Sequence, residues 1–297
     1  MSLVMHLVPE TLERFSNLVG ESILATLTTI RTTYVDDREE YSGTGLLISD
    51  GSSKYVLTAD HVLSPHRRTP PRKTLTKRHY HALNLRRNSQ PSKAYALRNK
   101  FYRSESLDLA LAESTLSQRP DFDSRLDYFP IEHLKTIIDF DAWNEDLFVV
   151  CGFPQAKITA IPVVNEVDHG MLIHYFSGAD GGNDPEEKHR YRFKYDGQLV
   201  RPSGLSGSPV WLLRDRNNPH NALSPEYLNE KSGKELSIAA IFCGIVCEYF
   251  PEAREISAAR REVCSAFVME AIGILPTLRS KEEEEWITEQ LAGVRRP

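Results

Sequence analysis

The sequence predicts an all-β protein, a sandwich or barrel, with short helices at its two ends. Two observations carry that expectation. Short runs rich in β-branched and aromatic residues recur along most of the chain, each closed by Gly, Asp, Asn or Pro, and no internal repeat or low-complexity tract breaks the pattern. The 297 residues suffice for two packed domains or one large one, with the apolar and charged content of a globular protein.

Taken in order, residues 10–19 place Leu12, Phe15, Leu18 and Val19 on one helical face, with Glu10 and Glu13 in the first turn where the helix dipole favours acid. A short helix within 1–21 follows. The β-branched run from Ile23 to Tyr34 predicts a strand, and Asp36–Glu40 turns the chain. Gly43–Ile48 and Tyr55–Ala59, around the turn Asp50-Gly51-Ser52-Ser53, predict a hairpin whose second strand delivers His61. A proline-marked stretch predicts a long loop before Leu83 and a ragged strand near Tyr95, and Leu107–Glu113 predicts a short strand with Asp108 at its start. Residues 126–145 are expected to connect a first half, 22–125, to a second, 146–278. The second half opens on a buried strand, Leu147–Phe153. Strands are then expected at Ile158–Val164, Met171–Phe176, Tyr191–Tyr195, Val210–Leu213 and Ser237–Phe250, with a loop at Ser177–Pro185 and a polar insertion at Arg214–Glu235. Beyond them the pattern predicts a helix near Arg254–Glu262, a strand near Ser265–Met269, and a helix near Glu282–Leu291 in the tail 279–297.

The formal net charge of -5 hides an asymmetry: between Asp60 and Glu105 there is no acid, while Arg and Lys recur from Arg67 to Arg103. This basic 64–103 segment would suit an acidic partner. It lacks the aromatic interleaving or helical motif of nucleic-acid binders, so nucleic acid is not the expected partner. His79 and His81 within it have no second ligand cluster, and neither a metal nor a cofactor is expected. Cys243 and Cys247, four apart on one strand face, would stand about 13 Å apart, too far to bridge. With Cys151 and Cys264 they are expected as reduced thiols. The start of the chain carries no basic region or cleavage site, and no stretch reaches the ~18 apolar residues of a membrane span. A soluble cytoplasmic protein is expected.

Gly204-Leu205-Ser206-Gly207-Ser208-Pro209 taken alone is ordinary turn chemistry. Its chemistry emerges with two distant residues. A hydroxyl needs a base to become a nucleophile, and the base needs a carboxylate to fix its tautomer. His61, Asp108 and Ser206 supply those three types, each at a predicted strand end or turn, in the order His, Asp, Ser. The order and the fifth residue, Ser208, exclude the pattern of α/β-hydrolases.

Thr58-Ala59-Asp60-His61-Val62, Asp108-Leu109-Ala110-Leu111 and Gly204–Val210 resemble the three catalytic motifs of trypsin-like serine peptidases of the chymotrypsin fold. The bacterial branch with glutamyl endopeptidases and heat-shock proteases is most similar. Gly43-Thr44-Gly45, Gly152-Phe153-Pro154 and Ile241–Val246 echo it further, and the resemblance covers about residues 22 to 278. It implies two orthogonally packed six-stranded β-barrels, one carrying His61 and Asp108 and one carrying Ser206, and an endopeptidase acting on protein or peptide substrates. It also implies an oxyanion hole from the backbone N–H groups of Gly204 and Ser206. Leu205 stands where digestive members carry an Asp, which argues against activation by N-terminal processing. Val200, Gly244 and Val246 are the candidate pocket residues, and their apolar character points to a small or aliphatic P1 side chain. No room remains after residue 278 for the peptide-binding domain of many heat-shock proteases. Insertions at 177–190 and 214–235 are where a regulatory protein partner would act on a latent enzyme. A different class of function, a catalytically silent peptidase-fold binding module that uses the basic 64–103 surface to hold an acidic partner or nucleic acid, is the alternative.

Overall fold

The computed structural model describes residues 19, 23, 26–34, 39–63, 75–82, 93–114, 128–135, 146–153, 158–161, 166–169, 172–177, 181–195, 204–231 and 236–274. The chain is mostly β-sheet. The first sheet holds β1 (Leu27–Tyr34), β2 (Glu39–Ser49), β3 (Lys54–Thr58), β4 (Leu75–Ala82), β5 (Lys93–Ser104), β6 (Leu109–Ser114) and the short β7 (Phe129–Pro130). Their order is β1-β4-β5-β6-β3-β2-β7, and β1 also pairs with β2, so the ladder of β1 to β6 runs round a closed ring.

The second half begins with β8 (Leu147–Gly152), followed by a separate hairpin of β9 (Ile158–Ile161) and β10 (Glu166–His169). Next come β11 (Leu172–Ser177), β12 (Gly181–Asn183), β13 (Arg190–Lys194), β14 (Pro209–Asp215), β15 (Asn218–Ala222), β16 (Ile238–Phe250) and β17 (Glu255–Arg260). The order is β11-β8-β14-β16-β17-β13-β12, with β15 beside β14. This sheet curls: Phe176 of β11 and Phe193 of β13 lie near its opposite ends, yet their ring centroids are 4.5 Å apart.

The expected hairpin stands as β2 and β3, and the expected strands of the first half stand as β1, β5 and β6, although β1 begins only at Leu27, Ile23 being helical. Residues Leu75–Ala82 correct the expected loop, because a strand forms there and pairs with both β1 and β5. Thr and Tyr within that segment favour extended backbone, and its charges obscured the pattern. Two elements near the end are exchanged. Residues 255–260, expected as helix, form β17, while residues 261–274, expected partly as strand, are helical. Ala258 and Ala259 suit a helix, but Ile256, Ser257, Ala258 and Ala259 are all buried between β16 and β13, and pairing overrides propensity. Cys264, Phe267, Val268 and Ala271 are buried at helical spacing in the segment that follows. The polar insertion holds β15 and a helix, Pro225–Glu230, capped by the Ser224 hydroxyl accepting the Tyr227 N–H at 3.2 Å. The expected loop at Ser177–Pro185 contains β12. The predicted tail helix at Glu282–Leu291 and, apart from the helical Val19, the one within 1–21 lie outside the described residues.

Burial explains why β8 reads as an unbroken apolar run: all six of its residues are buried, as are all six of β6, the polar Glu113 and Ser114 included. One core cluster takes Leu46, Leu57 and Leu111 from the first sheet, Val149, Trp211 and Phe242 from the second, and Phe267 from the helix. Phe129 packs edge-on to Trp211 at 5.3 Å, and Trp211 to Phe242 at 5.7 Å, contacts worth about 0.5–1.5 kcal/mol each beyond their burial. Arg261, at the helix start, donates to the carbonyls of His133 and Leu134 at 2.6 and 3.2 Å, fixing the connecting segment. The two halves are thus welded by one core. No helix among the described residues is long and apolar enough to cross a membrane.

Candidate active site

His61 follows β3 on a single helical turn, Asp60–Leu63. Val62 and Leu63 are buried in a cluster with Leu47, Val56, Ala110 and Ala112, which roots the turn in the first sheet. That leaves the His61 ring partly open, at 20 % side-chain exposure. Its Nδ1 lies 2.9 and 3.0 Å from the two carboxylate oxygens of Asp108, and its backbone N–H donates to Asp108 Oδ1 at 3.1 Å.

Asp108 ends the turn between β5 and β6 and has φ 52°, the left-handed region that an Asp tolerates better than most side chains. Its carbonyl accepts the Asp60 N–H at 3.0 Å, and its N–H donates to Glu105 O at 3.2 Å. The unusual backbone is therefore held at both ends. Below it, the Cys247 thiol of β16 points at the Asp108 carbonyl, 3.7 Å away. Burial, with the Asp108 charge adding to it, pushes that thiol up to about 12, which leaves Cys247 a neutral group and not a thiolate nucleophile.

Ser206 sits in the turn that leads into β14. The Gly207 N–H donates to Val246 O at 2.7 Å, the Val246 N–H to Ser208 O at 2.8 Å, and the Ser208 N–H to Leu205 O at 2.8 Å. Leu205 is 1 % exposed in a cluster with Tyr195, Val246 and Ala258, so the turn is anchored by apolar packing. Gly207 has φ 83°, and a Cβ there would meet Thr44 O at 2.0 Å and Thr58 Oγ1 at 2.1 Å. Only glycine fits.

Thr44 joins this turn to the first sheet. Its N–H donates to Ser206 O at 2.9 Å and its hydroxyl to Gly204 O at 3.0 Å, while that hydroxyl accepts the Phe153 N–H at 3.0 Å. Next to it, a Cβ on Gly43 would meet Ser206 O at 2.6 Å and Val62 Cγ2 at 2.7 Å. Ser206 O and the Val62 side chain therefore flank the Gly43 backbone closely, and any side chain there would collide with both.

No protein-family model matches the chain, and no curated protein matches it. The local geometry carries the argument. His61 and Asp108 are paired, and the Ser206 turn docks on Gly43 and Thr44 of β2. Of the candidate pocket residues, Val200 lies outside the described residues. Gly244 is buried within β16, where a Cβ would meet Ala259 O at 2.1 Å, and Val246 is 2 % exposed and splints the serine turn through its backbone. Both are placed in the packed sheet. Among the described residues no cluster of His, Cys, Asp and Glu is arranged to hold a metal ion.

Three contributors escaped the sequence argument. Thr44 stood there only as part of a glycine-flanked echo. Asp60, directly before His61, and Arg103, the last cation of the basic interval, form a 2.8 Å ion pair beside Asp108. The adjacency of Asp60 to His61 was the available signal.

Proposed function

We propose that the protein is a serine endopeptidase of chymotrypsin type, cleaving protein substrates through an acyl-enzyme. The observation that carries this is the His61–Asp108 pair, with Nδ1 engaged at 2.9 Å and the other ring nitrogen left for a substrate or hydroxyl. The docked turn bearing Ser206 supports it. So do the closed ring of β1 to β6 and the curled run from β11 to β13, which fit two barrels of six principal strands.

In this reaction the Ser206 oxygen attacks the scissile carbonyl carbon as its proton passes to His61. Asp108 holds the Nδ1 proton and stabilises the imidazolium. The C–N bond then breaks, and the amine leaves with the proton from His61. Water, deprotonated by His61 in turn, frees Ser206. Backbone N–H groups of Gly204 and Ser206 are the proposed donors to the oxyanion, a role worth about 3–4 kcal/mol per donor where one has been removed in another enzyme. A small or aliphatic P1 residue and a cytoplasmic setting complete the proposal, the latter on four free buried cysteines.

A fluorophosphonate probe tests it. Wild-type protein is expected to become labelled at Ser206, with Ser206→Ala and His61→Ala unlabelled. Equal labelling of wild type and Ser206→Ala would remove the nucleophile assignment. A binding role alone places no demand on a His–Asp couple whose carboxylate sits on left-handed backbone, so the geometry favours hydrolysis.

A further inference from the structure

We propose that the Asp60–Arg103 ion pair is a positioning device for the His61–Asp108 couple. The inference rests on the hydrolytic reading only in calling that couple catalytic.

Asp60 is 3 % exposed, an unusual place for a carboxylate. Its Oδ2 accepts from Arg103 Nη2 at 2.8 Å, while its Oδ1 is buried and takes no hydrogen bond among the described residues. Burying a charge this way costs desolvation, and an uncharged residue would fill the same space without it. What the pair gains is attachment. Arg103 lies at the end of β5, in register with Ala110 of β6, so it marks the base of the turn that carries Asp108. The N–H groups of Asp60 and His61 hold that turn at its other end, on the Asp108 carbonyl and carboxylate at 3.0 and 3.1 Å.

One short helical turn thus grips both arms of the Asp108 turn, at Arg103 where it leaves β5 and at Asp108 where it enters β6. The grip at Asp108 sets the His61–Asp108 distance directly. The grip at Arg103 stops the turn from rocking about that contact and keeps Asp108 on its left-handed backbone. Arg103 also balances the Asp60 charge, so that of these two carboxylates Asp108 alone faces the ring without a cationic partner. Neither Asp60 nor Arg103 touches the reacting atoms in this scheme.

The test is the full-length ¹⁵N-labelled protein, followed by the low-field N–H proton signal of the His61 ring, assigned by its loss in His61→Gln. The signal is expected in wild type, absent or strongly shifted in Arg103→Met, and retained in Arg103→Lys, which restores the positive charge. Peptide hydrolysis is expected to fall about 100-fold in kcat for Arg103→Met, with KM nearly unchanged, as for a slightly misplaced catalytic group. An Arg103→Met protein that keeps both the wild-type signal and kcat overturns the proposal. Should Arg103→Met fail to fold with Asp60 left uncompensated, Asp60→Asn/Arg103→Met removes that burden, and a wild-type signal in the folded double variant overturns it equally. If the wild type shows the ring signal but no fluorophosphonate labelling, the peptidase reading fails, and the positioning role stands or falls on the signal alone.

Discussion

Thr44 donates its hydroxyl to the carbonyl of Gly204 at 3.0 Å, across a sequence separation of 160 residues. The same oxygen accepts the N–H of Phe153 at 3.0 Å, so one buried hydroxyl ties β2 to the serine turn and to the end of β8. The isosteric Thr44→Val removes the hydroxyl that the buried Phe153 N–H and the half-buried Gly204 carbonyl both use. The expected cost is about 1–3 kcal/mol of stability, read as a lower denaturant midpoint, together with slower fluorophosphonate labelling of Ser206. Unchanged midpoint and labelling would mean that the turn holds itself.

Two glycines of positive φ give a controlled comparison. Gly51, at φ 91°, has nothing within 4 Å of the place a Cβ methyl would take, whereas Gly207 would drive one into Thr44 O. Gly51→Ala is expected to cost about 1–2 kcal/mol, for backbone strain alone. Gly207→Ala adds overpacking of about 1–3 kcal/mol more and displaces the Ser206 turn, abolishing labelling. Equal midpoints for the two variants would contradict this.

Acid stability should report on Asp184. Burial by itself would raise its carboxyl, but the Arg192 side chain and the N–H groups of Glu186 and Glu187 outweigh that and hold it below the ordinary 3.8. A carboxyl depressed in the folded chain contributes stability at pH values above its unfolded value and loses that contribution as pH falls through the folded one. Wild type is therefore expected to lose more stability than Asp184→Asn as the pH is taken below about 4, measured by denaturant midpoints. Parallel profiles would disprove the link.

The cysteines predict a reagent profile. All four are free and buried, and burial raises every thiol, Cys243 to about 12. Iodoacetamide at mildly alkaline pH is expected to leave the native protein unmodified by mass, and to modify all four after unfolding. Fast labelling of any cysteine in native protein would contradict this.

How much of this was legible in sequence follows from where the information lies. His61, Asp108 and Ser206 could be found because each is a chemistry-bearing residue inside its own short motif. Thr44, Asp60 and Arg103 act through contacts made only after folding, between segments that carry no shared local pattern. The β2–β3 hairpin was legible from its alternation and its Asp50–Ser53 turn. The exchange between β17 and the helix at 261–274 was not, because Ala258, Ala259 and Ala266 fit either geometry until β13 and β16 claim the first of them. The charges of β4 hid a strand whose partners on both sides come from other segments.

The double pairing of β1 has a colloidal consequence. A ring has no first or last strand, so β1 to β6 offer little unpaired ladder on which another copy could begin to stack. The eight-stranded sheet is different, because among the described residues its ladder stops at β11 on one side and at β12 on the other. β12 is only three residues long, two of them glycine, which makes it a poor template. Leu172–Ser177 is left as the six-residue margin where edge-to-edge association between copies would start, and where a single added charge would do most to keep concentrated protein dispersed.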